Sequence, residues 1–167
     1  MARHGRAFPG SVITSSPARK PLPGPPVFDA ASNAISATGA SSLTFAHTCA
    51  GINRALIVGI YPSFQTITGV TYNGVSLELV GLANTNIPVA LYKLSNPELG
   101  TNNVVITLAA PAVSQIEAGA VSFTNATQTQ SNLTGTFASA DSPPSNVTPT
   151  VNVTSAPSEV VIDCVVW

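Results

Sequence analysis

The sequence predicts an all-β fold, an antiparallel β-sandwich of jelly-roll type preceded by an extended Pro-rich N-terminal arm. Three observations lead there. From Val27 onward apolar residues recur with period two, not the ~3.6 of a helix. Asn73-Gly74 stands between two alternating runs and offers two residues tolerant of positive φ, as a type I′ hairpin turn requires. Turn-forming clusters punctuate the chain at the roughly 8–12-residue spacing of sandwiches and barrels. Eight to ten short strands are expected on that spacing.

The arm comes first. Residues 1–28 contain Arg3, Arg6, Arg19 and Lys20, no Asp or Glu, and six of the fourteen prolines, at Pro9, Pro17, Pro21, Pro23, Pro25 and Pro26. The string KPLPGPP favours polyproline II and excludes a helix or central strand. At ~3.1 Å per residue such an arm reaches roughly 80–90 Å, further than a domain of this size is wide. Two readings are open for it, a solvated tail and a strap held against a partner. Residues 29–167 then form one sandwich domain, long enough for a sizeable core.

Along the body, Leu43, Phe45 and His47 share a parity. The run RALIVGIY at 54–61 is apolar on both parities, which suggests a central strand covered on both faces. Strands over 66–72 and 75–82 flank the Asn73-Gly74 turn, with Val75, Leu77 and Leu79 inward. Val104, Ile106 and Leu108 alternate with polar residues, and AGAVSFT at 118–124 alternates small with large. Val147, Val151 and Val153 predict another half-buried strand, and EVVIDCVV at 159–166 a central one. Breaks are expected at 84–88, 95–102, 110–114 and 125–145, the last with one short strand near 135–138. A strand pattern that runs to Trp167 reads as a fragment of a longer chain, the favoured reading, or as a fold that Trp167 closes itself.

Charge separates the two parts. The body has two basic residues, Arg54 and Lys93, against seven acids, so a net charge of −1 combines an arm of about +4 with a body of about −5. Charged residues are only 8%, against roughly 25% in an average soluble domain, so Ser, Thr and Asn supply the polar surface. That composition suits β-rich proteins that work outside cells or on virus particles. Four positive charges are too few to package nucleic acid, because affinity grows with the phosphates neutralised. They suffice for lying along an acidic protein surface, such as another copy's body. The longest apolar stretch, ALIVGIY at 55–61, falls far short of the roughly 20 residues of a membrane span. No signal-peptide pattern follows the first basic residues. Assembly of a phage particle in the cytoplasm followed by lysis accounts for this combination, as does export that bypasses a Sec signal.

Chemistry-bearing residues are sparse. His4 lies in the arm and His47 in a strand; a His47–Cys49 dyad would place side chains two apart on one strand, about 7 Å from each other and beyond hydrogen-bond reach. The acids Asp29, Glu78, Glu98, Glu117, Asp141, Glu159 and Asp163 occur singly, with no glycosidase pair or calcium loop. Asp163 reads as an outward strand residue or a buried acid bonded to backbone or hydroxyls. Cys49 and Cys164 are read as buried free thiols, with a long-loop disulfide as the alternative and no zinc spacing. Tyr61, Tyr72 and Tyr92 suit core or hairpin packing better than a carbohydrate platform. The sequons at Asn125, Asn132, Asn146 and Asn152 are near chance frequency in so Thr-rich a chain. No catalytic residue, cofactor or metal is expected.

FDAASNAISATGASSLTFAHTCAGINRALIVGI, VTYNGVSLELV, NNVVITLAAPAVSQIEAGAVSFTNATQT and PTVNVTSAPSEVVIDCVV together resemble a β-sandwich module of phage and metagenomic virion proteins. The resemblance covers about residues 27–166, and its most specific pieces are N-R-x-L-[IV]-V at 53–58, TYNGV and AGAVSF. It implies a structural or surface-display role, no catalytic residues, and a chain that continues past the D-x-V-V strand. The expectation is a non-enzymatic virion structural protein, a capsid decoration (cement) or tail-surface protein. Its arm, over residues 2–26, would contact capsid or tail proteins or copies of itself, with Arg3, Arg6, Arg19, Lys20, Pro21, Pro23, Pro25 and Pro26 as the contact residues. A homo-oligomer or symmetric assembly follows, with neither nucleic acid nor membrane as partner. The alternative is a carbohydrate-binding or adhesin-type sandwich reading a cell surface through the loop at 125–145.

Overall fold

A computed structural model describes residues 24–83, 88–129, 133, 137–140 and 150–164. Among the described residues nine strands follow in order: β1 (Val27–Ile35), β2 (Ser42–Cys49), β3 (Ala55–Tyr61), β4 (Ile67–Tyr72), β5 (Val75–Ser76), β6 (Glu78–Ala83), β7 (Val89–Ser95), β8 (Gly100–Leu108) and β9 (Glu117–Thr124). They form two antiparallel sheets, one ordered β1-β9-β3-β7-β6 and the other β2-β8-β4-β5, packed face to face as a β-sandwich. Among the described residues no helix is long and apolar enough to cross a membrane.

Period-two alternation places the core. Leu43, Phe45, His47 and Cys49 of β2 point inward and the residues between them outward. Val104, Ile106 and Leu108 of β8 do the same, facing Leu56, Val58 and Ile60 of β3 and the small Ala118 and Ala120 of β9. β3 is buried on both faces, as its double parity requires: it pairs with β7 on one side and β9 on the other, and its outer face is also covered.

The Asn73-Gly74 turn forms as expected, with φ of 48° and 76° and Tyr72 opposite Val75. The strand after it is not continuous. β5 ends at Ser76, Leu77 turns inward with its amide on the Val70 carbonyl at 2.9 Å, and β6 joins the other sheet. The expected inward set therefore fails at two of three positions: Leu77 is 8% exposed, but Val75 is 53% and Leu79 is 47%. Changing sheets resets the faces, and both short strands end up at sheet edges, where Val75 and Leu79 stay exposed.

Two further expectations are corrected. Residues 150–154 and 159–164 are not strands. The apolar run 159–164 lies on the outer face of the five-stranded sheet, where Cys164 meets Gly59. Val147 and Gly135 lie outside the described residues, and Phe137 and Ala138 are not in a strand. At the other end, β1 begins at Val27, so the last two residues read as arm belong to the sheet.

Candidate functional site

Of the expected arm contacts, Arg3, Arg6, Arg19, Lys20, Pro21 and Pro23 lie outside the described residues, while Pro25 and Pro26 form the arm's root. The root is pinned to the body. Asn125 adopts a left-handed φ of 58° directly after β9, and its Nδ2 donates to the Pro25 carbonyl at 3.1 Å. Its own amide donates to the Ile52 carbonyl and that of Ala126 to Asn53, fixing the β9 exit against the β2–β3 loop. Arg54 extends the clamp: its guanidinium donates to the carbonyls of Pro97 and Gly51, both at 2.7 Å, and to Asn96 Oδ1 at 3.0 Å.

Beside the root runs an apolar groove of about 680 Å³, within the ~300–1,000 Å³ range of ligand pockets. Its floor is the outer face of the five-stranded sheet, with Ile57, Leu91 and Phe123; its wall is the segment carrying Phe137, Val160 and Ile162. Gly24 and Pro26 stand at its border and Glu159 on its lip. Two glycines let the wall approach. A Cβ at Gly59 would lie 2.7 Å from Cys164 Sγ, and one at Gly81 would overlap the Phe137 ring. The groove is not legible in sequence, because it needs 153–164 to lie on the sheet and not in it.

The body's two cations are both engaged internally: Arg54 in its clamp, and Lys93, 4% exposed, 3.7 Å from Glu78 on the neighbouring strand. Glu98, Glu117, Glu159 and Asp163 are exposed, which places the acidic charge outward.

A second cluster lies inside the sandwich. A register shift between Phe28 and Ala30 makes Asp29 the bulged residue of β1. Its Oδ2 accepts from Ser122 Oγ at 2.7 Å and from the Ala50 amide at 2.9 Å, tying β1 to β9 and to the β2–β3 loop. His47, 2% exposed, shares a 2.8 Å hydrogen bond between Nδ1 and Ser32 Oγ, and its Nε2 is buried without a partner. Burial pushes its pKa down, against a smaller upward pull from Asp29. Burial pushes the Cys49 thiol up, with smaller opposing contributions from hydrogen bonds to Tyr72 and Ser122. A neutral imidazole beside a protonated thiol is the reverse of a thiolate–imidazolium nucleophile. Burial also raises Tyr72 to about 12; its hydroxyl lies 3.0 Å from the Gly100 carbonyl and 3.2 Å from that of His47. His47, Cys49 and Tyr72 are buried within the core.

Cys49 and Cys164 are free. The five-stranded sheet separates them: Cys49 packs with Val58 in the core, and Cys164 meets Gly59 on the opposite face. Asp163 is exposed, on an extended segment and not on a strand. Among the described residues no group of three or more His, Cys, Asp or Glu side chains is placed to hold a metal ion. No protein-family model matches the chain, and no curated protein matches it.

Proposed function

We propose that this is a non-enzymatic structural protein of a phage particle, a β-sandwich displayed on the capsid or tail and anchored through its N-terminal arm. The carrying observation is the separation of charge: four basic residues and no acid in residues 1–28, seven acids against two basic residues after them. The engagement of Arg54 and Lys93 within the body supports it, because the outward charge is then acidic, complementary to the arm. So does the hydrogen bond from Asn125 to the Pro25 carbonyl, which ties the arm's root to the body. A Ser-, Thr- and Asn-rich surface suits display outside the cell. Arms that cross subunit boundaries tie neighbours together, the role of a cement protein, and make a symmetric homo-oligomer the natural unit.

The test is deletion of residues 2–23, which keeps Gly24–Pro26 on the body. The shortened chain is expected to stay folded by circular dichroism and to be absent from purified particles that incorporate the full chain. Incorporation at full occupancy without the arm overturns the proposal.

A further inference from the structure

We infer that the outer edge of β1 is a self-association site, at which β1 of a second copy of this chain pairs antiparallel about a two-fold axis and continues the five-stranded sheet. This contact does not use the arm and stands apart from the anchoring role. Among the described residues β9 is the only strand beside β1. The register tells which residues face the open side. The Ser36 amide donates to the Ile116 carbonyl at 2.9 Å, one step beyond the Ile35–Glu117 pair. Hydrogen-bonded and non-hydrogen-bonded pairs alternate along an antiparallel ladder. Ala30, Ser32 and Ala34 therefore bond to β9 as Ser36 does, and Ala31, Asn33 and Ile35 turn their N–H and C=O groups to the open edge. The side chains of the same three residues are the exposed ones of the alternation, and Ile35 is 62% exposed.

Edges of this kind are normally blunted by Lys, Pro, a bulge or a charge. In β1 the bulge at Asp29 blunts only the start of the strand, and residues 30–35, AASNAI, carry neither charge nor proline. Asp29 itself is bonded to Ser122 and the Ala50 amide, so no like charges oppose each other when two copies align. The other edges suit the role less. β5 has two residues, and β6 begins on Glu78 and is broken by a register shift between Leu79 and Gly81. β2 exposes Ser42, Thr44, Ala46 and Thr48, with no large apolar side chain to bury. The occupant is a second copy because the segment complements itself. With the axis at Asn33, Asn33 lies opposite its own counterpart, and Ala31 lies opposite Ile35 of the second copy on the same sheet face. Each exposed Ile35 then packs beside a small Ala31, and each outward N–H and C=O of these residues finds a partner. Such a contact is isologous and closes at two copies.

Cross-linking and light scattering on the full chain, in a Cys164→Ser background, test this. The chain is expected to sediment and scatter as a dimer or a multiple of it. Asn33→Cys is expected to oxidise to a disulfide-linked dimer, because Cα atoms of a hydrogen-bonded antiparallel pair lie about 5.5 Å apart, within disulfide reach. Leu79→Cys, 47% exposed on the opposite edge of the same sheet, is expected to give at least tenfold less. Asn33→Lys sets like charges directly opposite each other and is expected to weaken self-association at least tenfold with the circular dichroism unchanged. Ala31→Lys, exposed on the same face, replaces it if that variant loses its fold. A monomeric full chain overturns the inference. So does an Asn33→Cys dimer yield no higher than that of Leu79→Cys, or self-association unchanged in a folded Lys variant. Deleting residues 2–23 keeps the two readings apart. The Asn33→Cys dimer is expected to survive that deletion, and its loss overturns the edge assignment whatever happens to particle incorporation.

Discussion

His47 sits where a proton has nowhere favourable to go. Its ring is packed edge-on to Tyr72 at 6.3 Å, with Nδ1 on Ser32 and Nε2 unpartnered. The charged or titratable neighbours facing it are Asp29, Cys49 and Tyr72, of which only Asp29 favours protonation. Because the folded pKa lies below the usual 6.5, both folded and unfolded chains are neutral at this residue above that pH. As pH falls below it, the unfolded chain takes the proton first, so stability drops with falling pH until the folded state also titrates. Urea denaturation between pH 7.5 and pH 5.5 should therefore show stability decreasing toward acid, and His47→Phe should flatten that slope. An unchanged slope in the variant would assign the acid sensitivity to other groups. The two-residue spacing to Cys49 hinted at a shared face, but the charge states came only from burial that the sequence does not display.

At the scale of elements, the segment that crosses the outer sheet face is held by contacts with two glycines. Gly81→Val should push Phe137 off β6 and cost about 1–2 kcal/mol, part of the ~1.5–3 kcal/mol for a fully buried large apolar side chain. Phe137→Ala should cost a similar amount, and the double variant little more than either alone, because both remove one contact. Additive costs in thermal or urea melts would show that Phe137 does not cover Gly81. Local signals predicted the elements they control. Asn73-Gly74 specified its hairpin, and the double parity of 55–61 specified a strand covered on both faces. The alternation over 75–82 and the apolar run at 159–164 misled for one reason. Period two reports which way side chains point, not which sheet a strand joins or whether a partner edge is vacant. The change of sheets at Leu77 and the seating of 159–164 on the sheet's outer face are both set by long-range contacts. Asp29 was likewise visible only as one acid among seven, since its role comes from a bulge.

For the whole molecule, the question is how much of assembly is electrostatic. If arms of about +4 dock on bodies of about −5, as proposed, the attraction acts over a distance that salt sets. The screening length is ≈ 10 Å at 0.1 M and ≈ 3 Å at 1 M. Contacts between exposed charges weaken over that range, whereas apolar packing does not. The oligomer of the full chain should therefore lose mass in light scattering as salt rises from about 0.05 M to about 1 M, with an apolar residue of binding that salt leaves intact. Replacing Arg3, Arg6, Arg19 and Lys20 with Gln should lower affinity at low salt and nearly abolish the salt dependence, so that the two curves converge at high salt. Curves that stay parallel would place the salt-sensitive contact outside the arm. A full chain that stays monomeric at every ionic strength would confine the arm's partner to another particle protein.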